Sequence, residues 1–149
     1  HRVTVVTQNI DDLHQRAGSR TVWCVHGNLE YSRCLQCGHR VKTGELSPIV
    51  REGRVPYHDC GGFYKPEVTF FGEALPQKDW QNSQRAIEEA DLICVVGSSL
   101  VVYPAASLPH YRSPSAQLVI VNREATPLDR EADLILRGNA GDVFAALMD

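Results

Sequence analysis

The sequence predicts an α/β protein built on a doubly wound parallel sheet, with a small cysteine-bearing module inserted into it. Two observations support this class. Short apolar runs rich in β-branched residues alternate with segments of helical periodicity, as in parallel sheets whose strands are joined by helices. Residues 28–66 break that rhythm, carry scattered apolar residues and contain three of the five cysteines. We therefore expect a core formed by residues 1–27 and 67–149 and a module formed by residues 28–66.

The first elements follow from local patterns. Val3–Val6 is β-branched and predicts a short buried strand. After the module, Lys65–Gly72 predicts a strand that ends in a turn. Residues 79–90 predict an amphipathic helix, because Trp80, Ser83, Ile87 and Ala90 recur at helical spacing.

The later elements complete the alternation. Leu92–Gly97 is continuously apolar, which predicts a central parallel strand buried on both faces. The remaining predictions are a short helix over Pro104–Tyr111, strands over Leu118–Val121 and Ala132–Leu136, and a closing helix with an apolar stripe of Val143, Phe144, Leu147 and Met148.

Bulk composition excludes several classes of function. The 149 residues are 43% hydrophobic and 22% charged, with a net charge of −3 and no basic stripe, which argues against nucleic-acid binding. The longest apolar runs are too short to span a membrane. Because the chain starts at His1 and enters a strand almost at once, we expect it to be a fragment of a longer protein.

The cysteines indicate a reducing, cytoplasmic environment. Cys24 and Cys94 lie in apolar strand contexts, where a buried free thiol is the ordinary state. Cys34, Cys37 and Cys60 lie among glycine, histidine and polar residues, which favours a metal site over a disulfide framework.

Polar residues follow the first strand at the end where open α/β sheets bind ligands. The run Thr7–His14 places Gln8, Asn9 and Asp11 there, and His26 follows about fifteen residues later. Histidine titrates near neutral pH and suits general-base work. The structural alternatives are helix capping by Asn9 and Asp11 and an ordinary surface or core role for His26.

Two further strand ends carry polar triplets. Gly97–Ser99 combines a small residue with hydroxyls and amides that can hold phosphate or ribose oxygens. Asn122–Glu124 puts a carboxylate where nucleotide-binding sheets hold ribose hydroxyls. The alternatives are a plain strand-to-loop turn and a solvated loop carboxylate.

The order of these pieces resembles the sirtuins, the NAD-dependent protein deacylases. The resemblance spans seven blocks from Thr7 to Val143: TQNIDDLHQRAGS, VHG, CLQC, KPEVTFFGE, GSSLVVYPAA, VNRE and NAGDV. The FFGE and RAGS segments are most similar to the bacterial and mitochondrial branch. This resemblance implies a Rossmann-like NAD-binding core over residues 1–27 and 67–149, with residues 28–66 as a zinc-ribbon-like module.

The resemblance also implies roles for individual residues. His26 matches the catalytic base, which draws a proton from a ribose hydroxyl after the nicotinamide–ribose bond of NAD is cleaved by attack of the acyl-lysine carbonyl oxygen. The residues implied to bind NAD are Gln8, Asn9, Ile10, Asp11, Gly97, Ser98, Ser99, Asn122, Arg123, Glu124 and Ala140. The residues implied to clamp an extended acyl-lysine peptide are Val68, Phe71, Gly72, Glu73, Leu100, Val101 and Val102.

The metal module departs from the family pattern. Cys34-x-x-Cys37 is one half of a four-cysteine zinc ribbon and Cys60 ends the other half, but Tyr57 stands where the fourth cysteine is expected. His58, Asp59 and His39 are all chemically able to complete a zinc site. The alternative is a degenerate module that holds three free thiols.

The function implied is transfer of an acyl group from protein lysine to ADP-ribose with release of nicotinamide. The family's glycine-rich pyrophosphate loop would precede His1, so we expect the fragment alone to bind NAD weakly and to be inactive. The alternatives are an NAD-dependent protein ADP-ribosyltransferase and a non-catalytic zinc-containing interaction module. A redox dehydrogenase is disfavoured because the G-x-G-x-x-G turn is missing. Acyl preference, protein targets and oligomeric state stay open.

Overall fold

The computed structural model describes residues 2–148, and the chain divides into two compact units. The first unit is His1–Asn82 and the second is Ser83–Asp149. The boundary falls inside helix α3, which runs over Gln77–Glu88. The two units are described separately below.

A parallel strand pair opens the first unit. Strand β1 covers Val5–Thr7 and pairs in parallel with β2 over Val22–Cys24, while the short helix α1, Leu13–Arg16, lies between them in sequence. The first strand begins two residues later than predicted, and Val3 is 72% exposed. Because both strands run in the same direction, residues 8–12 and residues 25–26 leave the same edge of this pair.

The rest of the first unit is an antiparallel sheet with one helix. Strand β3, Gly27–Cys34, lies between β4, Arg40–Lys42, and β5, Tyr64–Val68. Helix α2 covers Thr43–Arg51. The strand predicted over Lys65–Gly72 is therefore present, but it ends at Val68 and pairs with β3. The division of the chain into a core and an inserted module at residues 28–66 stays a prediction.

Gly27 occupies a position that no other residue fits. Its φ of +73° lies in the left-handed region, and a Cβ there would stand 2.0 Å from the carbonyl oxygen of Glu67 on β5. We expect Gly27→Ala to destabilise the protein by more than about 2 kcal/mol, because strain and a backbone clash act together. Denaturant unfolding measures this change.

The matched control for that substitution is Gly44→Ala. Gly44 lies in α2, and a Cβ at this position meets no heavy atom within 4 Å. Alanine is favoured over glycine in helices by roughly 0.5–1 kcal/mol, so this variant should be as stable as the parent or more so. Equal unfolding free energies for the two variants would contradict the role assigned to Gly27.

The second unit is a three-stranded parallel sheet with helical connections. Its strands are β6 over Leu92–Val96, β7 over Gln117–Asn122 and β8 over Leu134–Arg137, in that order across the sheet. The connections contain 3₁₀ helices over Ala105–Tyr111 and Asp129–Glu131, and helix α4 covers Ala140–Ala146. Parallel strands alternating with helices confirm the predicted α/β class.

The core of the second unit lies on one face of this sheet. Leu118 and Ile120 of β7 are fully buried and pack with Val95, Leu100 and Leu128. The strand at the centre is thus β7, and the prediction that Leu92–Gly97 is central and buried on both faces is wrong. In the described part of the chain β6 pairs only with β7, so it is an edge strand.

The outer face of β6 corrects a second prediction. Side chains alternate along a strand, so Ile93 and Val95 point to the core while Leu92, Cys94 and Val96 point to the other face. Leu92 is 56% exposed and Val96 is 41% exposed. Cys24 is buried as expected, whereas Cys94 is exposed and the buried state predicted for it is wrong.

The closing helix forms, but its apolar stripe is largely uncovered. Helix α4 ends at Ala146, and Phe144, Leu147 and Met148 are 43%, 68% and 87% exposed. Of the predicted stripe only Val143 is half-buried. Within residues 2–148, no helix combines the length and apolar character needed to cross a membrane.

Candidate active site and metal centre

The first unit fixes the orientation of the His26 imidazole. His26 follows β2 directly, after the fully buried Val25, and is itself half-buried. Its Nδ1 lies 3.2 Å from the carbonyl oxygen of Gln8. A carbonyl oxygen only accepts hydrogen bonds, so this bond requires the proton on Nδ1. In the neutral ring the basic lone pair is then on Nε2, the atom suited to accept a proton from a substrate.

Backbone hydrogen bonds bring three of the predicted sequence blocks together around His26. The carbonyl oxygen of His26 accepts from the N–H of Thr69, at 2.9 Å, just after β5. The carbonyl oxygen of Ile10 accepts from the N–H of Leu29 at 3.0 Å. Residues from TQNID, VHG and KPEVTFFGE thus meet at one place, although about sixty residues separate the first from the last.

The polar residues after β1 differ in their surroundings. An Asp11 carboxylate oxygen accepts from the N–H of Leu13 at 3.1 Å. Asp11 thus makes one hydrogen bond of the kind expected if it served to cap a helix. Asn9 is exposed, and its backbone N–H donates to the Thr7 hydroxyl at 3.0 Å. Asn9 therefore presents its side chain to solvent near the edge that holds His26.

The loop after β5 is held by one half-buried lysine, Lys65. The Lys65 ammonium donates to the Val68 carbonyl oxygen at 2.7 Å and to Glu73 Oε2 at 2.8 Å, and it lies over the Phe70 ring. Glu73 also accepts from the N–H of Phe70 at 2.8 Å. The hydrogen bond from Lys65, aided by that N–H, lowers the pKa of Glu73, so its carboxylate stays charged at neutral pH.

This network leaves Phe71 outside. Its side chain is 99% exposed, whereas Val68 is buried. Phe71 therefore presents its ring to solvent from a loop that Lys65 and Glu73 brace. Glu73 accepts hydrogen bonds from Lys65 and the Phe70 amide, and these contacts brace the loop. Its contact with substrate stays a prediction.

The second unit has a cavity at the carboxyl ends of its parallel strands. Its volume is about 270 Å³, and it is lined by Gly97, Val121, Asn122, Arg123, Gly138, Asn139 and Ala140. Four of these, Gly97, Asn122, Arg123 and Ala140, are among the residues predicted to bind cofactor. Carboxyl ends of parallel strands are where such sheets hold nucleotides, so the position of the cavity suits that use.

Other predicted residues lie outside that lining. Ser98, Ser99 and Glu124 do not line the cavity. The Ser98 hydroxyl accepts from the Leu100 N–H at 3.3 Å, and the Glu124 carbonyl oxygen accepts from Asn122 Nδ2 at 2.9 Å and from Arg137 at 2.7 Å. The roles assigned to these residues stay predictions.

Three lining residues, Val121, Gly138 and Asn139, are not among those predicted to bind cofactor. Gly138 and Asn139 follow β8, and the Asn139 side chain caps α4 by accepting from the Gly141 N–H at 2.9 Å. Their signal was available: an Asn between a strand and a helix marks a cap, and the end of a third parallel strand belongs at the same sheet edge.

The second segment predicted to clamp a peptide, Leu100–Val102, contains one buried and two exposed residues. Val101 is 61% exposed and Val102 is 40% exposed, while Leu100 is buried in the core of this unit. Leu100 also has a φ of +55°, which is unusual for a bulky side chain. Its side chain is therefore a packing element, and only its backbone is free for a substrate role.

Four side chains of the first unit converge on a possible metal position. The sulfurs of Cys34, Cys37 and Cys60 and a ring nitrogen of His58 all lie within 4.8 Å of one another. The two sulfurs of Cys34 and Cys60 are 3.6 Å apart, and Cys37 Sγ is 3.4 Å from His58 Nδ1. Tetrahedral zinc with such ligands separates them by about 3.6–3.8 Å, so this donor set fits a closed structural zinc site.

The fold explains why position 58 joins the three cysteines in this group. Tyr57 forms an antiparallel bridge with Phe63 and is 63% exposed. Successive side chains in extended backbone point to opposite sides, so His58 faces inward where Tyr57 faces outward. The turn is closed by the His58 N–H, which donates to the Gly62 carbonyl oxygen at 2.7 Å. Asp59 and His39, the other candidates, are outside the group.

The electrostatics favour metal binding by Cys34. The backbone N–H of Cys37 hydrogen-bonds its sulfur and lowers the pKa of the thiol to about 7, although burial acts in the opposite direction. The thiolate is the form that ligates metals. A thiol already close to ionisation at neutral pH suits this role.

Comparison with known proteins agrees with these features. The model of the Sir2 family matches residues 1–104. The chain is 43% identical over 150 residues to an NAD-dependent protein deacylase of Mycolicibacterium paratuberculosis, covering 98% of this chain and 63% of the relative. It is 45% identical over 144 residues to an NAD-dependent protein deacetylase of Cutibacterium acnes, covering 97% and 57%. The chain thus spans about three fifths of the length of these curated relatives.

Solved structures show the same similarity. A complex described as Sir2 with a p53 peptide and NAD+ superposes with a TM-score of 0.92 at 39% identity, covering 98% of this chain and 62% of that one. A structure of Sir2Tm bound to a propionylated peptide gives a TM-score of 0.92 at 40% identity, covering 97% and 62%. With the family model matching more than two thirds of its residues, this chain belongs to the Sir2 family.

Proposed function

We propose that the whole protein is an NAD-dependent protein-lysine deacylase that releases nicotinamide and transfers the acyl group to ADP-ribose. The observation that carries this proposal is the fixed imidazole of His26, whose Nδ1 donates to Gln8 and whose backbone joins the loop after β5. The relatives that cover nearly the whole chain are named as NAD-dependent deacylases and deacetylases, which supports the same reaction.

His26 would act through Nε2. The acyl-lysine carbonyl oxygen attacks the anomeric carbon of NAD as nicotinamide leaves, and the neutral imidazole then accepts the proton of a ribose hydroxyl. Removing that proton allows the hydroxyl oxygen to attack the carbon that came from the acyl group. The Gln8 carbonyl stabilises the imidazolium that forms, because it already accepts from Nδ1.

The cavity of the second unit supports a nucleotide substrate. Gly97 donates its N–H to the Val121 carbonyl oxygen. Gly97, Asn122 and Arg123 line the cavity of about 270 Å³ with small and polar groups. We assign this cavity to the adenosine half of NAD. Within the first unit, the exposed Phe71 is the apolar contact we assign to an extended acyl-lysine peptide.

The deciding experiment measures nicotinamide release by the whole protein with and without an acetyl-lysine peptide. The proposal expects release only when NAD and acetyl-peptide are both present, with equal amounts of deacetylated peptide. NAD-dependent labelling of protein without acyl-peptide would identify an ADP-ribosyltransferase instead. Partner binding with no consumption of NAD would identify a zinc-containing interaction module.

We also infer a cytoplasmic location. All five cysteines are free thiols and three of them converge with His58, an arrangement that persists only where thiols stay reduced. Fractionation of cells that express the whole protein tests this inference.

A further inference from the structure

The fourth ligand of the metal site is packed within a small cluster of rings. We define the ring cluster as His39, His58 and Tyr64. The centroids of the two histidine rings are 4.7 Å apart with an interplanar angle of 33°. Tyr64 lies edge-on to both, with centroid distances of 6.1 Å to His39 and 6.0 Å to His58. Each ring therefore contacts the other two.

A hydrogen bond locks the two members that are not ligands. Nδ1 of His39 lies 2.7 Å from the Tyr64 hydroxyl. His39 thus makes a hydrogen bond within the ring cluster and lies outside the group of four candidate ligands, although its imidazole is chemically as suitable for zinc as that of His58.

The same two residues are anchored to the sheet that carries Cys34. The His39 carbonyl oxygen accepts from the Cys34 N–H at 2.8 Å, just before β4. Tyr64 begins β5, is the register partner of Cys34, and donates its N–H to the Pro56 carbonyl oxygen at 2.9 Å. The ring cluster is thus supported by backbone that also positions a metal-binding sulfur.

From this arrangement we propose that His39 and Tyr64 are positioning residues that hold the His58 ring in its metal-binding orientation. His58 lies on a turn and is separated from Cys60 by only one residue, and the Cys60 N–H also donates to its Nδ1 at 3.1 Å. That hydrogen bond uses the lone pair required by zinc. The Cys60 N–H therefore competes with zinc for His58 Nδ1. Contacts with His39 and Tyr64 that hold the His58 ring in its inward orientation offset this competition, and they lower the conformational entropy that His58 loses when metal binds.

The experiment uses the full chain, stripped of metal and titrated with zinc in competition with a chromophoric chelator. Loss of supporting contacts around a ligand typically weakens metal binding by 10–100-fold, so His39→Ala should lower zinc affinity by about that factor. Tyr64→Phe should cause a smaller loss in the same direction. Tyr57→Ala, which removes an exposed ring beside His58, is the matched control and should leave the affinity within about twofold.

Cobalt substitution separates positioning from ligation. The optical spectrum of bound Co²⁺ reports the donor set, and His39→Ala should keep the spectrum of three sulfurs and one nitrogen while requiring more metal for saturation. His58→Ala should change that spectrum. If His39→Ala changed the spectrum and His58→Ala did not, His39 would be the ligand and the proposal would be overturned.

Two milder variants keep the proposal testable if His39→Ala fails to fold. His39→Phe and Tyr64→Phe each lose the hydrogen bond between His39 and Tyr64 but retain three aromatic rings. We expect both to bind zinc less tightly than the parent, and to a similar extent. Parental affinity in both, alongside an unchanged Tyr57→Ala control, would show that the ring cluster does not support the metal site.

Discussion

Replacing His26 with tyrosine is expected to abolish acyl-peptide-dependent nicotinamide release by the whole protein while leaving it folded. Loss of a general base alone typically costs 10²–10⁴-fold in rate, and here the ribose hydroxyl would have no base to accept its proton. His26 is half-buried and its side chain makes a single hydrogen bond to a backbone carbonyl, so the fold does not depend on it. Steady-state turnover and circular dichroism measure the two parts of this prediction.

The matched control is His110→Tyr. His110 is an exposed histidine in the 3₁₀ helix over Ala105–Tyr111, so this variant makes the same chemical change at a position without a predicted catalytic role. Its turnover should stay near that of the parent. Turnover of His26→Tyr within about threefold of the parent would show that His26 is not the base.

Cys34→Ser is expected to release the metal and to unfold the small antiparallel sheet around it. Structural zinc contributes roughly 10–16 kcal/mol of apparent binding free energy in zinc-finger peptides, and this energy is also folding energy. Cys34 is 1% exposed and is the last residue of β3. Its N–H donates to the His39 carbonyl oxygen just before β4, and it is the register partner of Tyr64 on β5. Its substitution therefore removes the buried member of the group of four. Zinc content per chain and the midpoint of thermal unfolding are the measurements.

Cys94→Ser provides the control for that loss. Cys94 is an exposed thiol on β6, in the other compact unit, and does not belong to the group of four ligands. The control should keep one zinc per chain and the parental unfolding midpoint. If purified parent protein contained no zinc while residues 27–68 remained folded, the group would be a site that has lost its metal.

Local patterns predicted the elements well where periodicity is strong. Residues 79–90 were predicted as a helix from four spaced side chains, and the structure has one over Gln77–Glu88 with Ser83 and Ile87 buried. The apolar run Leu118–Val121 forms the central part of β7. The order of the strands in the sheet does not follow from such local patterns, because it depends on which strands pair with one another. Leu92–Gly97 is more continuously apolar than β7, yet it lies at the edge and exposes Leu92, Cys94 and Val96.

The candidate site divides in the same way. The resemblance of the sequence blocks to the family predicted His26 as the base, and the C-x-x-C spacing predicted the three cysteines as metal ligands. The tautomer of His26 depends on the Gln8 carbonyl, and the bracing role of Glu73 depends on Lys65, which is eight residues away in sequence. Neither contact leaves a trace in a linear pattern.

By itself, the sequence of this protein determined the α/β class through residue type and spacing, and the family through the resemblance of its motif blocks. It also predicted His26 as the base and Cys34, Cys37 and Cys60 as metal ligands. Only the tertiary structure decided that His58, and neither Asp59 nor His39, completes the metal group. The reason is geometric. The bridge between Tyr57 and Phe63 turns position 58 inward, whereas the His39 ring is hydrogen-bonded through Nδ1 to Tyr64 on another strand. Such choices depend on distances between residues far apart in sequence, which exist only once the chain has folded.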